Sequence, residues 1–232
     1  MTATTISIIP PPRPTDTNEF RKPTVQKDAL FIRNKVFVDE QGVNADTEID
    51  EDDSRSWHWV IYEQQNPNQN EQQEKEKYPV GVIRLVPPPH EPHEVLLNSM
   101  QQPPSEPKSN NKSIMSIAKY DFNHEPYIKL TRVAILKEYR GCGLARKLVD
   151  VALHWAIEHS DEIDAAYRRV LKIEGEEEGF KYKSKWNGLV LVHAQIDVEK
   201  MYERMGFRTD PNLGRWMEEG IEHVGMWRRI TK

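Results

Sequence analysis

Alternating apolar and polar positions predict the strands of this chain. Ser56 to Tyr62 alternates and is rich in Trp, Val, Ile and Tyr, and Tyr78 to Val86 has the same character. Both patterns predict strands, and the polar segment between them predicts a hairpin. Gly188 to Ala194 is GLVLVHA, a near-continuous apolar run that is typical of a strand covered on both faces.

Apolar positions three or four apart predict helices. Such spacing runs from Val25 to Asp39, and it predicts a helix whose C-terminal end lies near Gly42. The same spacing after Gly143 predicts a second helix. Its apolar stripe is Leu144, Leu148, Val151, Ala152 and Trp155. A third helix is predicted from Val198 to Met205, with Asp197 as its N-cap.

Both ends of the chain predict further strands. Thr5 to Ile9 is apolar and precedes a proline cluster, which predicts a short edge strand. Near the other end, Phe207 to Thr209 and the alternating stretch HVGMWRRI predict a final strand pair. No internal repeat is visible.

Polar segments separate these elements. They lie at about residues 64–77, 87–126 and 172–187. We interpret them as insertions into a single domain, the second with a small helix near Val95 to Met100. Ser160 to Asn187 first continues or breaks the second predicted helix and then becomes polar and charged, and we interpret it as another excursion from the core. His90 and His93 are expected to be loop residues rather than metal ligands, because no set of carboxylates or cysteines accompanies them.

One stretch joins a strand to a helix through glycines. Leu130 to Leu136 is short and rich in β-branched residues, which predicts a strand. The following turn carries Arg140, Gly141 and Gly143 ahead of the second predicted helix. Glycines leave backbone N–H groups accessible at a helix start, where the helix dipole also favours a phosphate. The turn matches neither GxGxxG nor GxxxxGKS/T, and a purely structural turn is the alternative interpretation.

Composition excludes several classes of protein. The 232 residues have a net charge of -5, a pI near 5.9 and a mean hydropathy of -0.76. A nucleic-acid binder usually carries a basic face, and a membrane span needs about 20 consecutive apolar residues, so neither is expected. The one cysteine, Cys142, excludes an internal disulfide and a cysteine-rich zinc site. No secretory signal is visible, so we expect a cytoplasmic address and leave a nuclear one open.

The segment Asn44 to Asp53, NADTEIDEDD, is dense in carboxylates. Two interpretations of it stay open. It is either solvated surface or an attractive wall for a cationic amine substrate.

Two motifs resemble those of the GNAT N-acetyltransferase superfamily. Arg140 to Ala145 fits R-x-x-G-x-A, which resembles the acyl-CoA pyrophosphate loop of that superfamily, Q/R-x-x-G-x-G/A. Ala194 to Phe207, AQIDVEKMYERMGF, resembles its second signature, N-x-x-A-x-x-x-Y-x-x-x-G-F, with tyrosine, glycine and phenylalanine in register. The segment departs from that signature at Gln195, where Asn is usual, and at Val198, where Ala is usual.

A third set of residues resembles the ElaA-type and YjcF-type branch of the superfamily. VFVDEQGVNADTEIDEDD, HAQ before the tyrosine helix and EEGIEHVGM near the end are similar to the branch patterns VFVxEQG, ExDxxD, AQ and EaGIxHxxM. The matches span about residues 25 to 230. The resemblance implies an α/β (α+β) fold, the GNAT acyl-CoA N-acyltransferase fold. Its mixed, mostly antiparallel central sheet is splayed at the cofactor site and flanked by helices.

The resemblance also implies an enzyme, an acyltransferase. We expect an acetyl-CoA-dependent N-acetyltransferase that moves an acetyl group to a primary amine of a small molecule by direct attack in a ternary complex. Two alternatives stay open: acetylation of protein or peptide lysines or N-termini, and a non-catalytic acyl-CoA-binding module. The expected partners are acetyl-CoA and an amine acceptor, with no metal, and a homodimer is left open.

The functional residues of the family map onto this chain through its motifs. Tyr202 is implied as the general acid and Gln195 as a cofactor contact. The candidate bases or substrate-orienting residues are Glu40, Glu48 and His58, and Asp50 also matches a branch position on the expected acceptor side. The residues whose backbone would face pantetheine and the acetyl carbonyl are Val133, Ala134 and Ile135. The residues that would hold the pyrophosphate are Arg140, Gly141, Cys142, Gly143, Leu144 and Ala145.

Overall fold

The structure, a computed structural model, describes residues 3–12, 23–64, 77–95, 97, 120–122, 124–173 and 185–231. The chain divides into two compact units, one formed mainly by residues 1–87 and 129–159 and the other by residues 88–128 and 160–231. The interpretation of one domain with insertions stays a prediction, because large parts of the three inserted segments lie outside the described residues. The helix expected near Val95 to Met100 also lies largely outside them.

The sheet of the first unit is antiparallel. Its strands are β1 (Thr4–Ile9), β2 (Trp57–Gln64), β3 (Lys77–Val86) and β4 (Ile128–Ile135). The strands pair in this order, with Ile6 opposite Ile61 and Val60 opposite Val82. Val60 and Val82 are fully buried, as the apolar character of β2 and β3 requires. The predicted edge strand, the hairpin and the strand before the glycine turn are therefore confirmed.

A long helical stretch covers part of this sheet. Helix α1 (Pro23–Arg33) continues as a π-helix, Asn34–Glu40, so the helix predicted from Val25 to Asp39 is confirmed. Its buried apolar residues are Ala29, Ile32 and Val36. The core cluster that joins them to the strands also contains Val60, Tyr62, Val82, Ala134 and Leu136. Burial of this apolar face, mainly against β2 and β3, therefore holds the helix in place.

Four more helices lie in the described part of the first unit. They are α2 (Ala45–Glu48), two 3-10 helices (Glu51–Arg55 and Lys137–Tyr139) and α3 (Leu144–Glu158). Helix α3 begins directly after Gly143, as predicted, and buries Leu148 and Ala152. Trp155 in α3 stacks on His159 with a ring-centroid distance of 4.6 Å and contacts Trp57 at 4.8 Å. The contact with Trp57 ties the C-terminal part of the helix to β2.

The second unit is built around its last strand. Its elements are α4 (Ser160–Ile173), β5 (Leu189–Gln195), a 3-10 helix (Ile196–Val198), α5 (Glu199–Arg204), β6 (Arg208–Thr209), β7 (Arg215–Glu218) and β8 (Ile221–Arg229). Strand β8 pairs antiparallel with β5, β6 and β7. The predicted strand from Gly188 and the final strand pair are confirmed, and β7 is an additional strand. No helix in the described part of the chain is long and apolar enough to cross a membrane.

Two local predictions for this unit were wrong. The first part of the expected excursion, Ser160–Ile173, is a helix whose Ile163 is fully buried and whose Asp164 accepts a hydrogen bond from the Trp186 N–H at 2.9 Å. The sequence interpretation weighed charge above the apolar stripe. The N-cap of α5 is Val198 rather than Asp197, because residues 196–198 form a 3-10 turn first.

Candidate active site

The glycine turn between β4 and α3 is open to solvent. Gly141 and Gly143 have φ angles of 76° and 77°, in the left-handed region that other residues adopt only at a cost. A Cβ atom built on either glycine meets nothing within 4 Å. The glycines are therefore required by the backbone conformation and leave room for a ligand. The N–H groups of the first turn of α3 have no partner within the helix, which suits this place to an anion such as a phosphate.

Cations surround the turn. Arg140 donates from Nε to the carbonyl oxygen of Ile135 at 2.9 Å, which holds its guanidinium beside the turn. Its two terminal nitrogens donate to Oε1 and Oε2 of Glu40 at 2.6 and 2.7 Å. These bonds lower the pKa of the Glu40 carboxyl. Arg146 and Lys147 line, with Gly143, one end of a surface groove of about 760 Å³. The charge and shape of the turn thus fit a pyrophosphate.

Strand β4, which precedes this turn, carries a bulge. Thr131 lies opposite Arg84 and Ala134 opposite Val82, so Arg132 and Val133 together face the single residue between them on β3. Such a bulge bends the strand and breaks its regular hydrogen-bond ladder. The first of the predicted acyl-binding residues, Val133, is therefore part of the bulge, and Ala134 and Ile135 follow it directly.

The acidic segment is largely an ion-pair cluster, which corrects the prediction of solvated surface for its central carboxylates. Glu48 is only 2 % exposed, and its two carboxylate oxygens pair with Arg33 and Arg132. Asp50 accepts two hydrogen bonds from Arg84, at 2.6 and 2.8 Å. These carboxylates are already neutralised by arginines, so they do not form the bare negative wall that was the other interpretation.

A second aspartate completes the cluster. Asp53 pairs with Arg33 and also approaches Arg84, with an oxygen-to-nitrogen distance of 3.0 Å. Burial opposes its charge, but the arginines prevail and hold its pKa well below the usual range. The pKa of Asp50 is lowered by Arg84 and Arg132 against the same burial. Three guanidinium groups and three carboxylates thus balance one another within the first unit.

The three candidate bases lie in the first unit in very different surroundings. Glu40 is partly exposed and paired with Arg140, whereas Glu48 is buried with both oxygens engaged. His58 is 8 % exposed, and its Nε2 lies 3.7 Å from Oδ1 of Asp53. Its Nδ1 has no hydrogen-bond partner among the described residues. Burial lowers the pKa of His58 to about 4, so the ring is neutral at pH 7 and only weakly basic. Of the three, Glu40 is the one that solvent reaches.

The second unit holds Gln195 and Tyr202. Gln195 ends β5, where it lies opposite His223 of β8. Tyr202 is a buried residue of α5 whose ring makes an edge contact with Phe207 at a centroid distance of 5.5 Å. Burial raises the pKa of the Tyr202 phenol, so it keeps its proton at neutral pH, as a proton donor must. The roles of both residues at a thioester stay predictions.

Sequence reasoning missed the three arginines of this cluster, of which Arg33 and Arg84 are buried and Arg132 is partly buried. Arg84 lies in the apolar run VGVIRLV, Arg132 in LTRVAIL, and Arg33 at the end of α1. An arginine within a buried strand almost always has a carboxylate partner. That rule, applied to the acidic segment Asn44 to Asp53, could have paired the arginines with Glu48, Asp50 and Asp53.

Comparison with solved structures shows the fold. Escherichia coli ElaA is 15 % identical to this chain, with a TM-score of 0.55 and coverage of 98 % of this chain and 100 % of that one. An acyl-CoA N-acyltransferase from Pseudomonas aeruginosa is 17 % identical, with a TM-score of 0.53 and coverage of 97 % and 99 %. A CoA-dependent acyl-homoserine lactone synthase is 14 % identical, with a TM-score of 0.54 and coverage of 99 % and 85 %. The predicted GNAT fold is thereby confirmed.

The family itself is shown by sequence. The model of the acetyltransferase (GNAT) family matches residues 36–171, more than half of the chain, from the π-helix through the glycine turn into α4. With the matching fold and a turn suited to a pyrophosphate, this chain belongs to the GNAT acetyltransferase family and is an acyltransferase.

Proposed function

We propose that this protein transfers an acetyl group from acetyl-CoA to a primary amine of a small molecule, by direct attack in a ternary complex in the cytoplasm. The observation that carries the proposal is the open glycine turn, Gly141 to Gly143, which is joined to the bulged strand β4 by a single 3-10 helix, Lys137–Tyr139. An anion cradle and an irregular stretch of backbone therefore belong to one strand–turn–helix unit. Acyl transfer from a phosphate-bearing thioester uses both features.

Each part of the turn has a distinct task in this proposal. Backbone N–H groups from Gly141 to Ala145 hold the pyrophosphate, and Arg140 adds a guanidinium that can bind it through two nitrogens. The thiol of the exposed Cys142 lies 3.7 Å from the Arg140 carbonyl oxygen, and we assign it no part in the reaction. The coenzyme supplies an acyl group activated as a thioester.

Proton transfer requires two further groups. The attacking amine must lose a proton, and Glu40 is the candidate that solvent reaches, directly or through a water. The departing sulfur must gain one, and the phenol of Tyr202 is the proposed donor. Backbone groups of Val133 to Ile135 orient the carbonyl, while Gln195 contacts the coenzyme. These assignments rest on the motif positions together with the protonation states that burial favours.

The decisive experiment measures thiol release from acetyl-CoA across a panel of small primary amines and lysine or N-terminal peptides. We expect turnover with small amines. In Tyr202→Phe, turnover should fall by about 10²- to 10⁴-fold while the acetyl-CoA affinity stays nearly constant. Tyr167→Phe is the matched control, because Tyr167 is another helix tyrosine of the second unit, partly buried where Tyr202 is buried.

Other outcomes of the panel would replace the proposal. Turnover with peptides alone would assign a protein or peptide acetyltransferase. Tight acetyl-CoA binding without any turnover would assign a non-catalytic acyl-CoA-binding module. Unchanged turnover in Tyr202→Phe would remove this residue as the acid.

A further inference from the structure

The backbone of β4 is strained at one residue. Arg132 has a φ angle of 52°, in the left-handed region, although it lies within a strand and is not glycine. A residue held in that region costs about 1–3 kcal/mol, and such a residue persists only where its surroundings hold it. Arg132 is also the first of the two bulge residues that face a single residue on β3. The strain therefore coincides with the bulge.

The side chain of Arg132 is anchored on the acidic segment. Its Nη2 donates to the carbonyl oxygen of Glu48 and to Oδ2 of Asp50, both at 3.1 Å. Its Nε lies 3.2 Å from Oε2 of Glu48. Glu48 is in turn held by the buried Arg33, so this anchor does not move freely. The left-handed conformation is thus stabilised by contacts with residues more than eighty positions earlier in the chain.

Asp50, which accepts a hydrogen bond from Arg132 of β4, also binds the neighbouring strand β3. Arg84 of β3 donates to both oxygens of Asp50, and its Nε donates to Oγ1 of Thr131 at 2.8 Å. Asp50 therefore bridges Arg84 and Arg132, one on each strand at the bulge. Side-chain anchors on both strands resist a slip that would convert the bulge into a regular ladder.

We propose that Arg132 is a positioning residue, whose ion pairs with Glu48 and Asp50 hold the β4 bulge so that the backbone of Val133 to Ile135 meets the acyl thioester in a productive geometry. This inference rests on the proposed acetyl transfer. Arg132 acts through the backbone that follows it rather than by touching the substrate. The acidic segment then serves the acyl-binding strand rather than the acceptor amine.

Two measurements separate positioning from ordinary stabilisation. The first determines kcat and KM for acetyl-CoA separately. The second compares the affinity for acetyl-CoA with the affinity for CoA, both measured by calorimetry. In Arg132→Ala we expect kcat to fall about 10- to 100-fold, because small misplacements of reacting groups have effects of that size. CoA affinity should change less than about twofold, while any preference for acetyl-CoA over CoA is lost. A change in stability alone would change neither the KM for acetyl-CoA nor the ratio of the affinities for acetyl-CoA and CoA.

Two further variants keep the test decisive. Arg132→Gly removes the anchor but adopts a positive φ without strain, so it should fold at least as well as Arg132→Ala and retain more of kcat. Arg132→Lys restores one ion pair and should recover part of the loss. Arg55→Ala is the matched control, since Arg55 lies just after the acidic segment and donates to Asp52 and to the carbonyl oxygen of Pro87. Its kcat should equal that of the wild type.

Failure of the inference differs from failure of the proposed function. Wild-type kcat and an unchanged acetyl-CoA preference in both Arg132→Ala and Arg132→Gly would overturn the positioning role. A wild-type protein that binds acetyl-CoA without turnover would overturn the proposed function, and the binding comparison would still decide the role of Arg132. A wild-type protein with no affinity for acetyl-CoA would overturn both.

Discussion

Two arginine–carboxylate groups of the first unit look alike in chemistry and differ in burial. Arg140 and Glu40 form a bidentate ion pair, in which their side chains are 40 % and 36 % exposed, respectively. Arg84 also binds Asp50 through two nitrogens, and Arg132 shares the same aspartate. The side chain of Asp50 is 35 % exposed, much as that of Glu40 is, but the side chain of Arg84 is only 2 % exposed, so the difference in burial lies in the arginines. The exposed pair is screened by water and stays available to a ligand. Breaking the buried cluster costs more free energy, so this cluster is suited to holding the backbone of β4 in place.

The largest expected effect comes from breaking the buried cluster. Glu48→Gln removes the charge that faces Arg33 and Arg132 while keeping the shape of the side chain. The free energy of unfolding should fall by about 3–5 kcal/mol, because the buried Arg33 keeps only Asp53 and Arg132 keeps only Asp50 as a charged partner. Urea unfolding followed by fluorescence measures it. Glu40→Gln, the same change in the exposed pair, should cost less than about 1 kcal/mol. Equal losses in the two variants would contradict the comparison.

The next effect is a pH dependence that His58 confers on the buried cluster. Burial depresses its pKa to about 4, from about 6.5 in the unfolded chain, against the opposing pull of Asp53. Between these two values the unfolded state binds the extra proton, so stability falls as the pH is lowered from 6.5 towards 4. The loss from this group is at most about 3 kcal/mol.

Unfolding by urea at pH 7 and pH 4.5 checks this expectation. In His58→Gln the difference in unfolding free energy between the two pH values should be smaller than in the wild type by up to that amount. The absolute stability of the variant does not enter this comparison. An identical pH dependence in the two proteins would show that His58 titrates normally.

A smaller effect is expected at the exposed turn. Gly143→Val forces a branched residue into a φ angle of 77° and adds atoms where a phosphate would approach. The affinity for acetyl-CoA, measured by calorimetry, should fall at least about tenfold. Gly220→Val is the control, because Gly220 has a φ angle of 79° and equally open surroundings. If both variants lost affinity alike, the loss would reflect strain rather than the turn.

The smallest expected effect concerns the exposed pair of Arg140 and Glu40. Glu40→Gln removes the charge that neutralises Arg140, so a pyrophosphate should bind a few-fold more tightly at low salt, and the gain should shrink as salt is added. Acetyl-CoA affinity at two salt concentrations measures this. The matched control is Glu125→Gln, since Glu125 forms a similar two-pronged exposed pair with Arg229. Weaker binding in Glu40→Gln would show that Glu40 instead orients the arginine.

Local patterns predicted much of the fold. The hairpin of β2 and β3, the strand β4 and the start of α3 at Gly143 follow from periodicity and glycine chemistry that neighbouring residues determine. Helix α4 and strand β7 were missed. The many charged residues of α4 made its apolar stripe difficult to recognise in the sequence. Strand β7 is only four residues long, too short for a clear alternating pattern. Both elements depend on packing against partners distant in sequence.

The sequence by itself determined the glycine turn and, through its motifs, the family, because a left-handed turn at a helix start is encoded by a few adjacent residues. Only the tertiary structure decided what the acidic segment does. Glu48 and Asp50 meet Arg132 across more than eighty residues, and no local pattern records such a pairing. A carboxylate has the same sequence signature in water and in an ion pair; burial distinguishes the two, and burial is a property of the folded chain.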